Sequence, residues 1–257
     1  MDFLRNSPKH LRVVTGRLKG SYPLLVDLYL DMLLCGPGTT MPDKFDILIQ
    51  DLDRLALSNC SHLGVFGEEV HRYQRNKPLS EEELTDFETK HNVRLPLDYS
   101  QFLTCVGNGG VGPYYGLFKL GEMDDGYEFA PWPNFMIGQL STPFPHTSSW
   151  NDLTGRPKYP SRKADKDAYD KRIEAFDARY WDTRQIDGAI PICHLGCALR
   201  QWLVITGPEA GNIWCDDRAD HKGLYPLQSK GRNRVTFFEW YRDWLDDALS
   251  KLQHLET

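Results

Sequence analysis

Three groups of residues have types and spacings that chemistry could use. The first is Gly107-Asn108-Gly109-Gly110-Val111-Gly112, which matches G-x-G-x-x-G, a pattern whose glycines let a pyrophosphate approach the N-terminus of a helix. Its surroundings are inverted. Apolar periodicity puts a helix before the glycines, and Pro113 with an expected strand follows them, so a phosphate would meet the electronegative end of a helix dipole. A helix stop and turn, with Gly and Asn supplying positive φ, is the expected role.

The second group is Cys193-His194-x-x-Cys197, with Cys215 and His221 downstream. Structural zinc pairs its ligands as C-x2-4-C with a second such pair, and only one half is present. If Cys193 lies on a strand, His194 points to the opposite face, which also weakens a Cys-His nucleophile and base. The six cysteines, at 35, 60, 105, 193, 197 and 215, are spread too unevenly for a secreted disulfide framework, so reduced thiols packed mostly as small hydrophobes are expected. No metal, cofactor or catalytic residue is expected.

The third group is acidic: Asp124-Asp125 and Asp216-Asp217. Adjacent carboxylates on a strand diverge, so neither doublet suits metal binding or paired acid and base work, and a solvated turn is the plain expectation. Recognition is the alternative use. An acidic rim formed by Asp124, Asp125, Asp216 and Asp217 beside exposed Tyr114 and Trp132 would suit a basic protein partner, because charge steers association and aromatic rings anchor it.

The elements that must position these residues read as follows. Residues 1–40 end in the turn-rich Gly36-Pro37-Gly38-Thr39-Thr40, which marks a boundary, and Met41 offers a second start. Over 41–62, Phe45, Leu48, Leu52 and Leu55 fall at helical spacing behind Asp43. Residues 58–78 read as irregular. Ser80 and Glu83 form a capping box, with Leu79 and Leu84 as its staple, and open a helix to about His91. Leu95-Pro96 opens another, carrying Tyr99, Phe102, Leu103 and Val106. Residues 114–120 read as a strand with Gly116 as a bulge or a site of close backbone approach. Residues 141–160 are too rich in Pro, Ser and Thr for regular structure and read as a surface excursion, followed by a helix over 165–180. Gln201 to Thr206 and Asn212 to Cys215 read as strands joined by a turn at Gly207 to Gly211. A last helix starts at a Thr236/Glu239 capping box, and its apolar stripe from Phe237 to Leu252 must pack on something. Helices beside strands without β-α alternation predict an α+β fold with a mostly antiparallel sheet.

Composition narrows the function further. The 257 residues are 40% hydrophobic and 26% charged, with twelve Phe, twelve Tyr and seven Trp, as in a folded chain with an aromatic core. Thirty Lys and Arg against thirty-six Asp and Glu give a net charge of −6, which repels phosphate backbones and anionic membranes. No apolar run approaches the roughly 18 residues that span a bilayer. Arg5, Lys9, Arg12, Arg17 and Lys19 before Leu24 to Cys35 imitate an export signal, but Asp27 and Asp31 interrupt the apolar stretch, so a cytoplasmic protein is expected.

These motifs together resemble a known family. Leu95-Pro96-x-x-Tyr99-x-x-Phe102-Leu103, then Gly107 to Gly110 and Gly112-Pro113-Tyr114-Tyr115-Gly116, resemble the signature of the SUKH superfamily, which includes the Smi/Knr-type cell-wall-assembly regulators. Ile192 to Cys197, Trp202-Leu203-Val204, Gly207-Pro208-x-x-Gly211, Trp214 and Phe237-x-x-Trp240-Tyr241-x-x-Trp244-Leu245 are similar to its bacterial branch. The resemblance covers about residues 63 to 250, so residues 63–252 are expected as one SUKH-like domain behind the 41–62 helix, and 1–40 as an extension. It implies an α+β domain with a twisted sheet. It also implies an immunity protein that binds and neutralises a polymorphic or contact-dependent toxin domain stoichiometrically, without catalytic residues or cofactors. A regulatory scaffold and an enzyme remain the alternatives.

Overall fold

The computed structural model describes residues 43–58, 62–124, 129–131, 136–159 and 166–256. The chain divides into two units, 1–41 and 42–257, and every described residue belongs to the second. The expected extension over residues 1–40 therefore lies outside the described residues.

Helix α1 (Lys44–Leu57) begins where the carboxylate of Asp43 accepts from the Phe45 amide at 3.2 Å, while the Asp46 carboxylate accepts from the Asp43 amide at 3.1 Å. This reciprocal capping satisfies two orphan donors. Phe45, Leu48, Leu52 and Leu55 then line one buried face, as their spacing predicts. A short helix α2 (Glu68–His71) interrupts the segment expected to be irregular. Helix α3 (Glu81–His91) starts at the Ser80/Glu83 capping box and ends at Asn92 in the left-handed conformation. Helix α4 (Leu97–Gln101) passes into a π-helical turn over Phe102–Val106, closed by the Gly107 amide donating to the Phe102 carbonyl at 3.0 Å. Tyr99, Phe102, Leu103 and Val106 are buried along it.

The glycine segment behaves as a helix stop. Gly110 then bridges to Arg75 on one side and to Leu117 on the other. That bridge at Leu117 is all that remains of the strand expected over 114–120. Tyr114 has φ +56 and Gly116 φ +97, and residues turned into the left-handed region cannot extend a ladder. The close approach expected at Gly116 is present: a Cβ there would lie 2.5 Å from the Gly110 carbonyl oxygen.

Strands β1 (Glu122–Asp124) and β2 (Phe129–Pro131) form a small antiparallel pair. Helix α5 (Lys166–Tyr180) precedes a meander of β3 (Ala189–Gly196), β4 (Leu199–Val204), β5 (Ile213–Asp217) and β6 (Gly223–Pro226), all antiparallel in that order. Helix α6 (Phe237–Glu256) closes the fold, its first turn capped by Thr236 and Glu239. The architecture is α+β, as expected.

Period-two alternation sorts the sheet into two faces. Ile190, Leu203 and Ile213 join the main core with α1, α4 and α6, through Leu48, Leu52, Phe102, Phe237, Tyr241 and Leu245. Trp202, Val204, Trp214 and Leu224 form a second cluster with Phe144 and Ile186. The segment expected as a surface excursion is irregular, yet it covers this second face. Phe144 is buried, and Trp150 bridges to Leu224 and stacks on Tyr180 at 5.5 Å. A Pro-rich chain cannot extend such a bridge into a ladder, but its aromatic side chains still bury area. Among the described residues, no helix is long and apolar enough to cross a membrane.

Candidate functional site

The register of the meander sets Cys193, Gln201, Cys215 and Tyr225 in one row across all four strands. The Gln201 amide sits between the two thiols, its Oε1 3.5 Å from the Cys193 Sγ and its Nε2 3.8 Å from the Cys215 Sγ. Burial pushes the Cys215 thiol up to about 12, so it stays protonated and is neither nucleophile nor ready metal ligand. Strand β4 separates the two cysteines by about 9 to 10 Å, too far for a disulfide. Cys105 and Cys197 are exposed, so only half of the described cysteines pack as small hydrophobes. His194, next along β3, stacks on Tyr115 at 4.8 Å and on Phe118 at 5.7 Å. Among the described residues, no group of three or more His, Cys, Asp or Glu is placed to hold a metal ion.

The doublet Asp216-Asp217 is not a solvated rim, which corrects that expectation. Both side chains are buried, and they diverge as neighbours on a strand must. The Asp216 carboxylate takes two hydrogen bonds from the Arg218 guanidinium, at 2.8 and 2.6 Å, and Arg218 also lies over the Trp181 ring. Asp217 lines a cleft on the other side and accepts the Tyr225 hydroxyl proton at 2.5 Å.

That cleft, about 430 Å³, is lined by Tyr114, Gln201, Cys215, Asp217, Tyr225 and Leu227, among others. A second cleft of about 350 Å³ shares Tyr114, Leu227 and Gln228 with it. Phe66, Trp240 and Trp244 wall the second cleft, and Asp243 and Asp247 of α6 also line it. Tyr114 thus stands between two adjoining hollows. Its ring meets Phe66 edge-on at 6.0 Å, and Phe66 is itself 55% exposed. Burial raises the Tyr114 hydroxyl to about 12, keeping it a neutral donor. Gly67 sets this corner. It has φ +77, and a Cβ on it would lie 1.9 Å from the Tyr114 carbonyl oxygen, so only glycine lets α2 start against the turn.

Two of the residues expected to contact a partner, Tyr114 and Asp217, therefore line one cleft, while Asp216 is enclosed beside Arg218. Asp124 ends β1 opposite Phe129, but its side chain, like Asp125 and Trp132, lies outside the described residues. Phe66, Trp244, Tyr225 and Gln201 escape sequence reasoning as site residues. Gln201 alone carries a signal, as a polar residue in an apolar strand. Chemically, the paired clefts offer aromatic walls, a carboxylate, a phenol and a protonated thiol.

The model of the SMI1 / KNR4 family (SUKH-1) matches residues 78–248. No curated protein and no solved structure matches the chain. The matched span runs from the entry of α3 to the last turns of α6 and holds the glycine turn and the whole meander. Since that span is well over half of its length, the chain belongs to the SMI1 / KNR4 family (SUKH-1).

Proposed function

We propose that this protein is a cytoplasmic immunity protein that binds a cognate toxin domain one to one and blocks it without modifying it. Family membership is the observation that carries the reading. The exposed Phe66 beside the half-buried Tyr114 and Trp244 supports it, since aromatic side chains in concave surfaces are the usual anchors of protein interfaces. A net charge of −6 supports a basic partner, such as a toxin that must itself approach a polyanion. The reading needs no cofactor and no catalytic residue.

The test is co-expression with the product of the neighbouring toxin gene, followed by titration of the purified components. Protection complete only at an equimolar ratio supports sequestration. Protection by a catalytic trace, or a covalent change in the toxin, overturns it in favour of an enzyme. Stable binding to a resident cellular protein, with no toxin neutralised, favours a regulatory scaffold of the Smi/Knr type instead.

A further inference from the structure

The two neighbouring aspartates of β5 differ in one respect that packing does not explain. Carboxylates are rarely buried without a counter-cation, because the charge loses its hydration and needs compensation. Asp216 has that compensation in Arg218, at 2.6 Å. Asp217 is only 9% exposed, yet among the described residues its carboxylate takes one hydrogen bond, from Tyr225, and no ion pair. It faces a cleft of about 430 Å³.

The cleft has the form that a long cationic side chain needs. Leu195, Leu199, Pro226 and Leu227 offer apolar surface for an aliphatic stem, and Tyr114 offers a ring for the charged tip. Arg200 also lines the cleft, and its Nη1 donates to the Ala198 carbonyl at 3.4 Å. A free small cation would have no use for the adjoining hollow. A side chain arrives with its backbone, and the second cleft, reached past Tyr114 and Leu227 and walled by exposed Phe66, gives that backbone and its neighbours a seat. We propose that the cleft floored by Asp217 and walled by Tyr114, Tyr225 and Leu227 receives a lysine or arginine side chain of a protein partner. The identity of that partner as a toxin rests on the function proposed above; the cation site does not.

The experiment is an amide-resolved NMR titration of the full chain with N-acetyl-arginine methylamide and N-acetyl-lysine methylamide, with the norleucine analogue as the uncharged control. The expected result is saturable shifts at Leu199, Asp217 and Leu227 for a cationic amide, and none for norleucine. Asp217→Asn keeps an acceptor for Tyr225 but removes the charge, and should weaken binding by about tenfold or more. Gln228→Lys places a competing cation at an exposed position of the same cleft and should weaken it similarly, which keeps the test valid if Asp217→Asn does not fold. Equal binding of norleucine, unchanged affinity in both variants, or no localised shifts would overturn the cation site. Cationic binding at Asp217 together with failure to neutralise the toxin would leave the site standing and overturn the immunity function. Toxin neutralisation that is intact in Asp217→Asn, with no amide binding to the wild type, would do the reverse.

Discussion

The Tyr241 hydroxyl, on the buried side of α6, donates a 2.8 Å hydrogen bond to the carbonyl of Val111 in the glycine turn. Both residues are fully buried, so this bond ties the last helix to the segment that follows α4. Tyr241→Phe would leave a buried carbonyl unsatisfied and should cost about 1 to 3 kcal/mol. Trp240→Ala removes a ring packed near Phe237 and should cost about 3 to 5 kcal/mol. Urea unfolding checks both. A Trp240→Ala variant that unfolds like the wild type would mean that α6 is dispensable to the core.

Gly67→Ala should disturb the cleft as well as stability. The methyl meets the Tyr114 carbonyl oxygen, which belongs to the backbone and cannot rotate away, and the positive φ adds about 1 to 2 kcal/mol of strain. A lowered melting temperature should therefore accompany shifted resonances for Tyr114 and Phe66. Wild-type spectra at both residues would show that α2 can start elsewhere.

The Asp216 and Arg218 pair is enclosed, with side chains 6% and 4% exposed. Asp216→Ala leaves the guanidinium uncompensated and should cost about 3 to 5 kcal/mol, whereas Asp216→Leu with Arg218→Met together should cost less than the sum of the single changes. Equal and additive losses in a double-mutant cycle by chemical denaturation would place the pair in solvent.

His71 supplies a pH dependence. Its Nδ1 accepts from the Tyr73 amide at 3.1 Å, so the proton sits on Nε2, which is buried without a hydrogen-bond partner among the described residues. Burial depresses its pKa from 6.5 to about 4, against the opposing pull of Glu68 and Glu69. The unfolded chain therefore binds the proton first as pH falls. Stability attributable to neutral His71 is complete above about pH 6.5, is lost as pH drops toward 4, and changes no further below that. The loss by pH 4.5 should be about 2 to 3 kcal/mol. Denaturation of wild type and His71→Gln at pH 7 and pH 4.5 measures it, and parallel losses in both would remove His71 as the cause.

What the sequence determined by itself was local. Ser80 and Thr236 cap the helices they were expected to cap, and Asp43, just ahead of the α1 stripe, caps the first, because a capping side chain reaches only two or three residues along its own chain. The stripes of α1 and α6 were legible for the same reason, since period alone says which side must leave water. The divergence of Asp216 and Asp217 followed from their adjacency on a strand. Tertiary structure decided the rest. The expected strand over 114–120 is reduced to a single bridge because Tyr114 and Gly116 take positive φ, and the Tyr114 carbonyl packs against Gly67, 47 positions earlier, a contact that local pattern cannot see. The Pro-rich segment covers a sheet face because Trp202, Trp214 and Leu224, from three strands, create an apolar surface that exists only once they align. The cleft depends most on the fold. Asp216 finds Arg218 two positions along its own chain, but whether Asp217 meets a phenol or an open hollow is set by side chains from other strands and loops, and their register is fixed by packing rather than by the residues flanking Asp217.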